Sequence, residues 1–109
     1  MEIAKKILEQ IRDGVDAYGN TGRHMMMCWG AHNLHGSDDI NEEGRGFLAF
    51  SVNGYLFKGT VKISLSWNDT YTIEFIEQNQ TCPTVLHDVY FYELANRIDR
   101  YVENEKNLL

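Results

Sequence analysis

Val61, Lys62, Ile63, Ser64, Leu65, Ser66 and Trp67 alternate apolar and polar side chains without a break. Successive side chains of a strand point to opposite faces, so this run forms a clean strand with one dry face and one wet face. A helix would scatter the same residues around its circumference. The pattern is repeated on both sides. Leu48, Phe50 and Val52 alternate with Phe47, Ala49 and Ser51, and Tyr71, Ile73 and Phe75 alternate with Thr72 and Glu74. Between the runs lie Asn53-Gly54, which readily supplies two positive φ angles for a tight type I′ hairpin, and Asn68-Asp69, a second two-residue turn. Residues 47–76 are therefore predicted to form a three-stranded antiparallel meander. Ile63, Leu65, Ile73 and Phe75, with Trp67, belong to its core face, while Lys62 and Ser64 point away. Gly59 is expected to mark a bulge or bend early in the middle strand.

A sheet with one wet face needs a second layer on the other, and the flanking segments supply it. Ile3, Ile7, Leu8, Ile11, Val15 and Tyr18 recur at helical spacing among charged residues, which predicts a helix over residues 2–17. Gly19-Asn20-Thr21-Gly22 breaks the chain, and the short apolar run from His24 to Trp29 reads as a buried strand, residues 24–29. Residues 30–46, polar and rich in glycine, read as a loop. Pro83 suits a first helical turn, and Leu86, Val89, Tyr90, Leu94, Ile98, Tyr101 and Val102 trace a stripe that predicts a helix over residues 83–103. The expected fold is α+β, a two-layer structure with a four-stranded, mostly antiparallel sheet and two helices on one face, in the order α-β-β-β-β-α. Residues 1–109 are read as a single domain. Folding at this length removes roughly 65% of the chain's surface from water, enough for one core without a disulfide or metal staple.

Composition narrows function mainly by exclusion. The longest apolar stretch, Met25 to Gly30, falls far short of the ~20 residues of a membrane span, and the first residues lack a signal peptide's apolar block. A cytoplasmic location without a membrane partner is expected. Cys28 and Cys82 form neither a CxxC pair nor a disulfide framework. Sixteen acids against ten bases give a net charge of −6, and residues 38–43 concentrate Asp38, Asp39, Glu42 and Glu43 with no base among them. An acidic chain repels phosphate, and Arg45, Lys58 and Lys62 are too few to make a basic face, so nucleic acid is disfavoured as a partner. A basic protein is favoured.

Five segments carry a resemblance: Ile7-Leu8-Glu9-Gln10-Ile11; Met27 to Leu34 with Gly30-Ala31-His32-Asn33; Leu48-Ala49-Phe50; Val61 to Leu65; and Asp69 to Phe75. In this order they resemble a group of small uncharacterised α+β proteins from gut Bacteroidetes and their phages and mobile elements. Trp29 stands where that group has a small polar residue, and His32 where lysine is common. The group has no established activity, so the resemblance assigns no catalytic role. What it implies is a phage or mobile-element origin, where small acidic accessory proteins that bind host proteins are frequent.

The chemistry-bearing residues point the same way. His24, Cys28, His32 and His35 are zinc-ligand types, but on a strand His24 and Cys28 would lie about 13 Å apart, and no second ligand pair follows. Cys28, flanked by Met25-Met26-Met27 and Trp29, is expected to be buried and unreactive. The acidic run 38–43 lacks the alternating oxygen ligands and central glycine of a calcium loop. No acyl-transfer, nucleotide-hydrolysis or dinucleotide motif is present in the sequence. No catalytic residue, metal or cofactor is assigned. On a helix, Tyr90, Phe91 and Tyr92 would sit ~100° apart, so the core could not take all three rings and one would remain outside for an interface. Asp88, Glu93, Asp99, Glu103 and Glu105 are expected along that same helix. The expected function is a non-enzymatic accessory factor that binds another protein, or a second copy of itself, through Asp38, Asp39, Glu42, Glu43 and Tyr92. It would serve as a phage or mobile-element counter-defence or host-interaction protein. The alternative is a small metal- or thiol-dependent enzyme using His32, His35 and Cys28.

Overall fold

The computed structural model describes residues 2–14, 19, 21–38, 45–54, 57–77 and 83–102. The described elements are α1 (Glu2–Arg12), α2 (Gly22–Cys28), β1 (His32–Ser37), β2 (Phe47–Asn53), β3 (Lys58–Leu65), β4 (Tyr71–Ile76), β5 (Thr84–Val89), a 3-10 turn (Phe91–Glu93) and α3 (Leu94–Val102). The strands form one antiparallel sheet in sequence order. The fold is α+β, with five strands and three α-helices among the described residues where the periodicity predicts four and two.

The meander folds as its alternation dictates. Leu48, Ile63, Ile73 and Leu86 lie side by side across four strands, and Phe50, Val61 and Phe75 form the next row. Ala4, Ile7 and Ile11 of α1, Met25 and Trp29 at α2, and Leu94, Ile98 and Val102 of α3 join these rows in one buried cluster. Lys62, Ser64, Thr72 and Glu74 point away from it and are half-buried. The turns differ in detail. Asn53 pairs with Lys58, so the first connection runs from Gly54 to Phe57 and is not a two-residue turn. Asp69 adopts φ 65° between Ser66 and Thr70, which pair, so the second turn has three residues and ends in a left-handed one. Trp67 lies in that turn and is exposed, off the core face. Gly59 keeps the β2–β3 register and makes no bulge there. A side chain on it would meet the Ile76 carbonyl and the Phe57 ring, so the position demands close approach.

Three segments depart from the periodicity reading. Residues 22–28 are helical, not the predicted strand: Thr21 caps them by accepting from the His24 N–H at 3.2 Å, and Met25 and Trp29, four apart, are buried with Met26 packed partly against them. Met27 and Cys28 are consequently exposed, so Cys28 is not the buried thiol its neighbours suggest. The glycine-rich stretch expected as a loop contains β1, whose Gly36 faces α1. A side chain there would collide with Ala4 and the Phe47 carbonyl, so α1 can lie against the sheet edge only because position 36 is glycine. The predicted helix over 83–103 is β5, a 3-10 turn and α3 in succession. The expected row of carboxylates on one helix is accordingly divided: Asp88 is on β5, Glu93 in the 3-10 turn and Asp99 on α3, while Glu103 and Glu105 lie outside the described residues. The first helix ends at Arg12, and residues 15–18 lie outside the described set.

Both sheet edges are irregular. His32 pairs with Ser51 and His35 with Ala49, so β1 spends three residues where β2 spends two. Val89 pairs with Tyr71 and Leu86 with Ile73, the same three against two on β5. Asn33 and Asp88 take φ 55° and 56° at these steps. A bulge twists an edge and interrupts its row of free hydrogen-bonding groups, which hinders a foreign strand from adding there.

Candidate functional site: an aromatic ledge beside the first helix

β5 ends at Val89, whose buried side chain anchors the sheet, and the chain must then turn to begin α3. Glu93 closes that turn twice. Its N–H donates to the Tyr90 carbonyl at 2.9 Å, and its carboxylate accepts from the Tyr90 N–H at 3.2 Å. A residue in extended backbone, Tyr90 at φ −80° and ψ 155°, is thereby joined directly to a 3-10 turn. Leu94 and Ala95 plug the core immediately afterwards. The three rings before them have no room inside: Tyr90, Phe91 and Tyr92 are 50%, 57% and 63% exposed.

The rings are ordered against one another. Tyr90 and Tyr92 lie parallel within 2°, centroids 5.7 Å apart, and Phe91 meets Tyr92 edge-on at 5.4 Å. Both distances fall in the favourable range for aromatic pairs, so the rings pack on one another. The turn packs beside α1, and Phe91 and Tyr92 wall an open cavity of about 430 Å³ whose other side is Gln10, Asp13 and Gly14. Gln10 is fixed from below, since its Oε1 accepts from the Tyr71 hydroxyl at 2.5 Å. Burial pushes the Tyr71 phenol above its ordinary range, which keeps it a neutral donor. Asp13 is exposed at the rim.

Tyr92 is thus at the surface, as the sequence predicts, for a different reason: all three rings are outside because one extended residue and a 3-10 turn, not an α-helix, carry them. Asp38 is placed elsewhere. Its two carboxylate oxygens accept from the N–H groups of Glu2 and Ile3 at 2.6 and 2.9 Å, which satisfies the first turn of α1. The positive amino terminus, and after it these N–H donors, hold the Asp38 carboxyl below its ordinary range. Asp39, Glu42 and Glu43 lie outside the described residues.

The metal and thiol candidates separate. His24 and Cys28, distant on a strand, are one turn apart on α2, and the Cys28 Sγ lies 3.7 Å from His24 Nε2. His32 and His35 are on β1, where each Nδ1 donates to a carbonyl two residues back, Gly30 at 2.7 Å and Asn33 at 3.0 Å. Among the described residues no three His, Cys, Asp or Glu side chains converge on a point where an ion could sit. A second concavity, about 500 Å³, opens on the outer sheet face, lined by His32, Ser51, Asn53, Thr60 and Ile76 among others. Its ionisable lining group is the His32 imidazole, beside the hydroxyls of Ser51 and Thr60.

Arg45 and Lys62 are engaged locally. Arg45 pairs with Asp69 and lies 5.9 Å from the Trp67 ring, and the Lys62 ammonium lies 4.7 Å over the Phe47 ring. No helix among the described residues is long and apolar enough to cross a membrane. No family model, curated protein or solved structure matches the chain.

Proposed function

We propose that this protein acts by binding another protein, and that the ledge of Tyr90, Phe91 and Tyr92 is where it docks. The observation that carries the reading is the exposure of three consecutive aromatic rings in one pre-stacked array. Aromatic side chains in ordered, exposed clusters are what interface centres are made of, because they bury much area and lose little rotational freedom on binding. Affinity should reside in these rings. The acidic segment with Asp39, Glu42 and Glu43 contributes to encounter, drawing in a basic partner and repelling others. With the phage or mobile-element origin that the resemblance implies, the partner is a host protein and the outcome is its occupation or displacement.

The test compares wild type with Tyr92→Ala in parallel affinity captures from the native cell background, followed by binding of the recovered protein in purified form. Wild type should retain a partner that Tyr92→Ala releases about thirtyfold faster, the size of an interface hot spot. Sedimentation of the protein alone decides whether that partner is a second copy. A partner bound equally well by wild type, Tyr92→Ala and Phe91→Ala would remove the ledge from the interface.

The His24–Cys28 contact supports a second reading, thiol chemistry on α2. A thiol-dependent activity lost in both Cys28→Ser and His24→Ala would establish it.

A further inference from the structure

The cavity beside the ledge has a chemistry more specific than aromatic stickiness. It is lined by the aromatic residues Phe91 and Tyr92 and by Gly14. Its rim carries one formal charge among the lining residues, the Asp13 carboxylate. Gln10 adds no further charge, and its amide oxygen is already engaged by Tyr71. Asp13 is also in an unfavourable place for fold stability. It follows Arg12 at the end of α1, its N–H still donating to the Glu9 carbonyl, where the negative end of the helix dipole disfavours an anion. A carboxylate held there, on an aromatic-walled opening, is complementary to a cation that can also stack.

We infer that the ledge cavity takes an arginine side chain of the partner protein, its guanidinium stacked against Tyr92 or Phe91 and paired with the Asp13 carboxylate. This rests on the docking reading above and specifies its partner. A guanidinium is flat, weakly hydrated and able to stack on a ring while donating two parallel hydrogen bonds to a carboxylate. An ammonium matches the charge but not the plane. The net charge of −6 favours the long-range approach of a cationic group. The opening, about 430 Å³, is large enough for one long side chain with the backbone that carries it.

The test is a selection of displayed random dodecapeptides on wild-type protein, with peptides that also bind Tyr92→Ala removed. Asp13 and Tyr92 are both exposed, and melting of Asp13→Asn at or slightly above wild type, with Tyr92→Ala unchanged, confirms that each variant is folded. The expected result is a set of Tyr92-dependent peptides sharing one arginine. Their binding should weaken about tenfold with Asp13→Asn and about tenfold when the peptide arginine becomes lysine, the size of a lost charge-assisted pair. It should also weaken with added salt. Tyr92-dependent peptides without a shared arginine, or with binding unchanged by Asp13→Asn, would overturn the arginine assignment and leave the ledge as a docking site. Absence of any Tyr92-dependent peptide would overturn both.

Discussion

Replacing Trp29 with phenylalanine should cost about 2.5 kcal/mol, and the sum can be assembled from the structure. Trp29 is fully buried, its ring parallel to Phe50 at 6.3 Å, and its Nε1–H donates to Asp99 Oδ1 on α3 at 2.9 Å. Its backbone carbonyl accepts from the Asn53 N–H at 2.7 Å, so one residue joins the end of α2 to β2 and to α3. Phenylalanine keeps the stack with Phe50 but removes roughly 40 Å² of buried ring, about 1 kcal/mol. It also removes a hydrogen bond to a carboxylate, about 1.5 kcal/mol at the low end because Asp99 is only half-buried. The midpoint of thermal unfolding should fall by about 10–15 °C. Urea unfolding followed by far-ultraviolet circular dichroism is the appropriate assay, since fluorescence would be left reporting on exposed Trp67 alone. Asp99→Ala and the double variant complete a cycle in which the pair should show a coupling of about 1 kcal/mol. A Trp29→Phe midpoint equal to wild type, or a cycle additive within ~0.3 kcal/mol, would refute the reasoning.

Other outcomes follow from single contacts. Gly36→Ala should destabilise by about 1–3 kcal/mol in the same urea assay, because its side chain meets both Ala4 and the Phe47 carbonyl; an unchanged midpoint would mean that α1 can lift off β1 freely. Cys28, being exposed, should react fully with a thiol reagent in native protein at neutral pH within the mixing time of a manual assay, and Cys28→Ser should leave the melting temperature unchanged. Slow labelling that requires denaturant would restore a buried thiol. Asp38 has a carboxyl held below its ordinary value of 3.8 in the folded state, so its contribution is present above that value and is lost as pH falls below it. Asp38→Asn should therefore narrow the difference in stability between neutral pH and pH 3; equal acid sensitivity in both proteins would show that the α1 cap contributes nothing.

Which parts of this fold were legible in the sequence depends on where each strand lies in the sheet. β3 is central, paired on both sides, and must alternate strictly to keep Val61, Ile63 and Leu65 on the core, so its pattern is unbroken. The edge strands are free of that constraint on one side and each carries an extra residue. On β5 the extra residue lies between Leu86 and Val89, and it sets the two inward-leaning side chains three apart instead of two. Three is also a helical spacing, and with Tyr90 and Leu94 following at helical intervals the bulged strand copies a helix stripe. β1 hides differently, since its core-side position opposite α1 is Gly36 and supplies no apolar signal at all. Residues 22–28 mislead in the opposite sense: the run of methionines looks uniformly buried, yet a helix that turns Met25 and Trp29 inward and Met26 partly so leaves Met27 and Cys28 in water.

The ledge was legible in part, and the missing part has a physical cause. Three consecutive rings cannot enter a thin core in any regular conformation, so exposure followed from the sequence whatever element carried them. Their mutual stacking did not, because it depends on the Glu93 clasp and on the bulge at Asp88, neither of which alters apolar spacing in a recognisable way. A usable signal was nevertheless present: Asn33 and Asp88, the left-handed residues of the two bulges, belong to the short polar types that tolerate φ near +55° with least strain. A three-residue step between apolar positions that contains such a residue is compatible with a bulged edge strand as well as with a helix. For residues 84–89 the strand is the consistent choice, because it pairs the outer backbone N–H and C=O groups of β4, which a helix there would have left as a free edge.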